Sequence, residues 1–150
     1  MHPMRGMAGG ISRSSQLLAQ TLDTLFEKDF DPSQSFLFGF SQGALLTFEF
    51  GARYRRVLGG YIAVSGYIYN PKSLLQEIDP LVKEASFSQD IWLCTHGTED
   101  EVLPYETTKA QIELLQKGGM KIDFKSYPKP HTIIEEELKM IREWIAIRKT

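Results

Sequence analysis

Gly39-Phe40-Ser41-Gln42-Gly43 sets a hydroxyl between two glycines, directly after a short apolar run and before a stretch of helix formers. This is the pattern of a nucleophile elbow, which lifts a serine out of a sheet on a tight strand-to-helix turn. Such a turn strains the backbone at the serine, and the flanking glycines let neighbouring backbone come close without a Cβ clash. The helix start beneath supplies positive potential for an oxyanion, and the backbone N–H of Gln42 is one expected oxyanion-hole donor. A glycine-bounded turn without chemistry is the plain alternative. The strand–turn–helix setting favours the nucleophile.

A serine hydroxyl is a poor nucleophile at neutral pH and needs a base, with an acid to orient that base. The chain holds three histidines. His2 has no structural setting, and His96 ends an expected strand, where a structural role is expected. His131 follows Tyr127-Pro128-Lys129-Pro130 in a loop between the last strand and the last helix. On an elbow of this kind the chain order is serine, acid, histidine, and His131 satisfies it. Glu99, Asp100 and Glu101 are adjacent acids between the two, and spacing alone does not choose among them. His131 and Glu135 stand four apart, but no H-E-x-x-H pattern exists, so no metal site is expected.

These residues need elements to position them. Phe36 to Phe38 reads as a strand buried on both faces, and a helix is expected from Gln42 to Arg55 or Arg56, with Arg53, Arg55 and Arg56 in its last turn. Upstream, Gly6 to Gly10 reads as a loop, and Ser12 as the cap of a helix carrying Leu18, Leu22, Leu25 and Phe26, ended at Asp31-Pro32. Downstream, strands are expected at Val57–Ser65, Ile91–Thr95 and Ile122–Tyr127, with a short helix near Leu74 broken at Asp79-Pro80. Pro104 to Lys117 reads as a helix stopped by Gly118-Gly119. The last helix is expected over Thr132–Ile147, with a Thr132/Glu135 capping box and an apolar stripe of Ile134, Leu138, Ile141 and Ile145. Alternating strands and helices point to one α/β domain over residues 1–150, a parallel sheet flanked by helices.

Composition narrows the class. The chain has 150 residues with 42% hydrophobic, 24% charged and a net charge of −2, an ordinary globular balance with no basic excess for nucleic acid. One cysteine excludes an internal disulfide, and Cys94 within a strand reads as a small core residue. No apolar run reaches a membrane span, and the start carries no signal-peptide stretch, so a cytoplasmic protein is expected.

The run G-F-S-Q-G followed by Ala44, then Tyr61-Ile62-Ala63-Val64-Ser65-Gly66-Tyr67, then His96-Gly97-x-x-Asp100-x-x-Leu103-Pro104, then His131 before an amphipathic helix, resembles the phospholipase/carboxylesterase family of α/β hydrolases. The resemblance spans about Gly10 to Trp144. It implies Asp100 as the acid, with Glu99 and Glu101 as bystanders. It implies a Ser41–His131–Asp100 triad that cleaves small carboxylic esters or thioesters through an acyl-enzyme, without cofactor or metal. It also implies an N-terminally truncated chain, because members of the family begin with strands and an oxyanion loop that nothing before Ser41 matches. The strand leading to Ser41 then becomes an edge, and a homo-oligomer through that edge is the expected consequence. The competing reading is a hydrolase-derived fragment with little catalysis, serving as a binding or structural module. Leu74, Leu75, Ile78, Leu81 and Val82 read as core contacts rather than as a flexible cap over an acyl pocket.

Overall fold

Short β-rich runs separated by helices build a parallel sheet, because each crossover carries the chain back along one face before the next strand. The computed structural model describes residues 3–149, with side chains from residue 10 onward. Strands β1 (Phe36–Phe40), β2 (Gly60–Val64), β3 (Trp92–Gly97) and β4 (Ile122–Tyr127) lie in that order, and every pair is parallel. Phe38 pairs with Ile62, Ile62 with Leu93, and Leu93 with Asp123.

The two-residue period of the strands sorts the core into two layers. Tyr61, Ala63, Trp92, Cys94 and Ile122 face α2 (Gln42–Gly51), α3 (Pro71–Glu77), α4 (Pro80–Ser88) and α5 (Tyr105–Lys117), which contribute Phe48, Leu74, Val82 and Leu115. Ile62, Val64 and Leu93 face α6 (Glu135–Arg148) through Ile141 and Trp144. Trp92 anchors the first layer: its ring stacks on Tyr61 at 4.2 Å and on Phe48 at 5.3 Å, and its indole N–H donates to Ser86 Oγ at 2.8 Å. Cys94 is buried beside it, and burial pushes its thiol pKa up to about 12, so it stays a neutral packing group. The helix α1 (Pro3–Glu27) lies against α2, with the Tyr54 hydroxyl donating to Asp23 at 2.6 Å.

Several boundaries differ from the sequence expectation. Gly6 to Gly10 is helical rather than a loop, and Ser12 lies inside α1 instead of capping it. Each such glycine costs about 1 kcal/mol against alanine, which taxes a helix without stopping it as proline would. α2 ends at Gly51, four to five residues early, and a side chain at that glycine would strike the Tyr61 and Trp92 rings. Arg53 therefore lies beyond the helix, where it pairs with Glu49 at 2.8 Å and Glu77 at 3.3 Å. β2 is shorter than expected and stops before Ser65, whose φ is 54°. Phe38 is 44% exposed, so β1 is not covered on both faces. Among the described residues β1 is paired on one side only, as the edge expectation requires. Pro80–Ser88 forms the helix that the proline break had obscured. Leu74, Ile78 and Val82 are core as expected, whereas Leu81 is exposed.

Candidate active site

Ser41 stands where β1 hands over to α2, with φ 59° and ψ −114°, a conformation that side chains rarely adopt. Its N–H donates to Val64 O at 2.9 Å, which ties the turn to the end of β2. The two flanking glycines have unequal tasks. A methyl group on Gly39 would overlap the Gly43 carbonyl and crowd Thr47 Oγ1, so glycine is required there. A methyl group on Gly43 would meet open space, contrary to the symmetric expectation. Gly66 supplies the second close approach instead, since a Cβ there would overlap that of Ala44 and press on Ser41 O. Gln42 opens α2, and the N–H groups of a first turn have no acceptor within the helix.

Asp100 hangs from the loop after β3. Its Oδ1 accepts the N–H groups of Val102 at 2.9 Å and Leu103 at 2.8 Å, leaving Oδ2 to face His131 Nδ1 at 2.7 Å. Burial pushes this carboxyl's pKa up, but the Leu103 N–H, the His131 ring and the Val102 N–H outweigh it, and the net value lies below the ordinary carboxylate range. Glu99 and Glu101 are exposed. His131 Nε2 lies 3.0 Å from Ser41 Oγ. With Nδ1–H donating to Asp100, Nε2 is left to accept the serine proton. The Phe40 ring covers the imidazole at 5.0 Å between centroids.

The acid and base loops are also bonded to each other. Thr98 N–H donates to Tyr127 O at 2.9 Å, and Glu99 N–H to Lys129 O at 3.2 Å. Gly97 permits this approach, because a Cβ there would overlap the Lys129 carbonyl. His96 is fully buried beneath the acid: its Nε2–H donates to Leu103 O at 2.7 Å, and Asp100 Oδ2 is 3.5 Å away. Burial lowers its pKa, which keeps the ring neutral, and the expected structural role fits this setting.

Sequence reasoning missed Lys129, Glu137 and Ser65, which form a buried polar cluster behind His131. The signal was an acid on the buried stripe of α6. That stripe is Glu137, Ile141 and Trp144, whereas the expected member Leu138 is 41% exposed. The helix begins at Glu135 rather than Thr132, and the carboxylate that reaches back belongs to Glu137, accepting from Ile134 N–H at 3.3 Å. His2 lies outside the described residues. Among the described residues no three His, Cys, Asp or Glu side chains group to hold a metal ion, and no helix is long and apolar enough to cross a membrane.

Comparison with known proteins extends the likeness beyond the motifs. The carboxylesterase SOBER1 of Arabidopsis thaliana is 33% identical over 119 residues, covering 79% of this chain and 50% of that protein. Acyl-protein thioesterase 1 of Gibberella zeae is 26% identical over 137 residues, covering 91% of this chain and 57% of that protein. The crystal structure of Arabidopsis SOBER1 superposes with a TM-score of 0.83 at 28% identity, over 93% of this chain and 65% of that one. The chain thus spans about half the length of the curated relatives it matches. The family model for phospholipases and carboxylesterases matches residues 3–149, nearly the whole sequence, and the chain belongs to that phospholipase/carboxylesterase family.

Proposed function

We propose that the protein is a serine hydrolase of carboxylic esters or thioesters that works through an acyl-enzyme. Ser41 is the nucleophile, His131 the general base and Asp100 the group that orients it. The observation that carries this reading is the continuous path of 3.0 Å from Ser41 Oγ to His131 Nε2 and 2.7 Å from His131 Nδ1 to Asp100 Oδ2. Ser41 Oγ attacks the substrate carbonyl carbon while His131 Nε2 takes its proton, and the ionised Asp100 stabilises the imidazolium that forms. The oxyanion develops at the start of α2, where the Gln42 N–H and the helix dipole favour negative charge. Collapse expels the alcohol or thiol, which takes the proton from His131. Water, deprotonated by the same imidazole, then releases the acid from Ser41. The substrate is a small-molecule ester or thioester, consistent with relatives named carboxylesterase and acyl-protein thioesterase. A net charge of −2 offers no basic excess for a nucleic-acid partner, and a cytoplasmic location is part of the proposal.

A fluorophosphonate probe tests the reading directly. The expected result is a single adduct on Ser41, lost in Ser41→Ala and strongly slowed in His131→Ala. A folded sample that does not label refutes it and leaves the binding-module reading.

A further inference from the structure

Two charges are buried next to the base without any part in the proton path. Lys129 is 1% exposed and Glu137 is fully buried, a setting that charged side chains reach only when paired. The ammonium spends each of its three protons on a different acceptor. Nζ donates to Glu137 Oε1 at 2.8 Å, to Thr132 O at 2.6 Å and to Ser65 Oγ at 3.0 Å. Those acceptors belong to three parts of the fold: the first turn of α6, the residue after His131, and the residue that follows β2. Ser65 itself is held at φ 54° with its N–H on Thr95 O at 2.9 Å.

The backbone around the lysine is equally constrained. Lys129 N–H donates to Tyr127 O at 2.8 Å and Thr132 N–H to Pro130 O at 2.8 Å, so two tight turns flank the lysine. Prolines at 128 and 130 fix φ in each of them. The Lys129 carbonyl takes the Glu99 N–H of the acid loop. Stability alone does not explain such a pair, because apolar residues of similar volume in place of a buried ion pair are often neutral or stabilising. Directional bonds to three separate elements supply what packing lacks, a fixed depth and azimuth for the loop.

We infer that the buried Lys129–Glu137 pair is a positioning clamp for the general base. It fixes the His131 loop between the end of β2 and the start of α6, and thereby sets where the imidazole stands over Ser41. The inference rests on the serine-hydrolase reading of the same site. Lys129 and Glu137 touch no reacting atom and are positioning residues.

The test compares Lys129→Met, Glu137→Met and the double variant. Each single variant leaves a buried charge or acceptor unpaired and melts lower. The double variant removes both charges and recovers the parent melting temperature. The clamp predicts that kcat on a p-nitrophenyl ester nevertheless stays down by roughly 10²-fold, the cost of a misplaced group of about 1 Å, while KM stays near the parent value. The downfield proton resonance of His131 Nδ1–H, which reports the bond to Asp100, shifts or broadens in the same variant. A double variant that regains melting temperature, kcat and parent resonance together overturns the clamp and leaves a merely structural pair. Ser65→Ala keeps both charges and removes one acceptor, and it is expected to lower kcat several-fold at unchanged KM. An unchanged kcat and resonance there also overturn the inference, whether or not the double variant folds. If the parent neither labels nor hydrolyses, the hydrolase reading fails, while the resonance and its response to these variants still decide the clamp.

Discussion

Asp100→Asn separates the acid from its neighbours, and the structure dictates how the amide must sit. Oδ1 receives two part-buried N–H donors, from Val102 and Leu103, and Oδ2 receives His131 Nδ1. Turning the amide nitrogen toward the two donors would leave both unpaired, at about 1–3 kcal/mol each. The amide oxygen therefore keeps the Oδ1 position, and the NH2 group faces His131. The imidazole must then accept at Nδ1 and carry its proton on Nε2, 3.0 Å from Ser41 Oγ. A base already protonated on that nitrogen cannot take the serine proton. The expected loss in kcat is about 10⁴-fold, equivalent to about 5.4 kcal/mol of barrier at about 1.36 kcal/mol per decade. Stability changes little, because every hydrogen bond at Asp100 keeps a partner. Ester turnover and the fluorophosphonate labelling rate read the catalytic loss, and a melt followed by near-ultraviolet circular dichroism reads the stability. An Asp100→Asn enzyme within about 10-fold of the parent would refute the tautomer argument. So would losses of similar size in Glu99→Gln or Glu101→Gln.

Two further predictions concern stability. Ser41 holds a positive φ of 59°, so Ser41→Gly is expected to unfold at higher urea than Ser41→Ala, by roughly 1 kcal/mol after glycine's extra chain entropy; equal midpoints would show that the elbow stores no strain. His96 has its pKa lowered by burial from 6.5, so below pH 6.5 the unfolded chain binds a proton that the folded chain refuses. Its contribution is present above pH 6.5 and is lost as pH falls toward the lowered folded pKa. His96→Asn should flatten the dependence of urea midpoint on pH over that interval, and an unchanged slope would contradict the burial argument.

The order of the proposed triad was legible because it depends on local chemistry: an elbow needs small residues around one serine, and the base needs a loop after a strand. The four strands were legible too: Phe36-Leu37-Phe38, Tyr61 to Val64 and Trp92 to Cys94 are short apolar runs between breakers, and Ile122 to Tyr127 alternates. The end of α2 was not, because the close packing of Gly51 under the Tyr61 and Trp92 rings exists only in the folded sheet. The buried stripe of α6 was misread by one position. Apolarity favoured Leu138 over its neighbour Glu137, and only a lysine eight residues upstream, folded back to 2.8 Å, makes the carboxylate a core residue. Choosing Asp100 from three adjacent acids needed a family pattern, since the two N–H donors that single it out belong to its own later turn.

The placement of Ser41 on β1 has a consequence for how the machinery fails. Among the described residues β1 and β4 are the two edges of the sheet, and the bond from Ser41 N–H to Val64 O ties the elbow to the end of β2. His131 and Asp100 ride instead on loops cross-linked by Thr98 and Glu99, between β3 and β4. Fraying of β1 separates Ser41 from an imidazole–carboxylate pair whose two loops stay bonded to each other. Under the proposed function, unseating that one strand is enough to stop acylation with the acid and base loops intact, and re-seating it restores the path from Ser41 to His131.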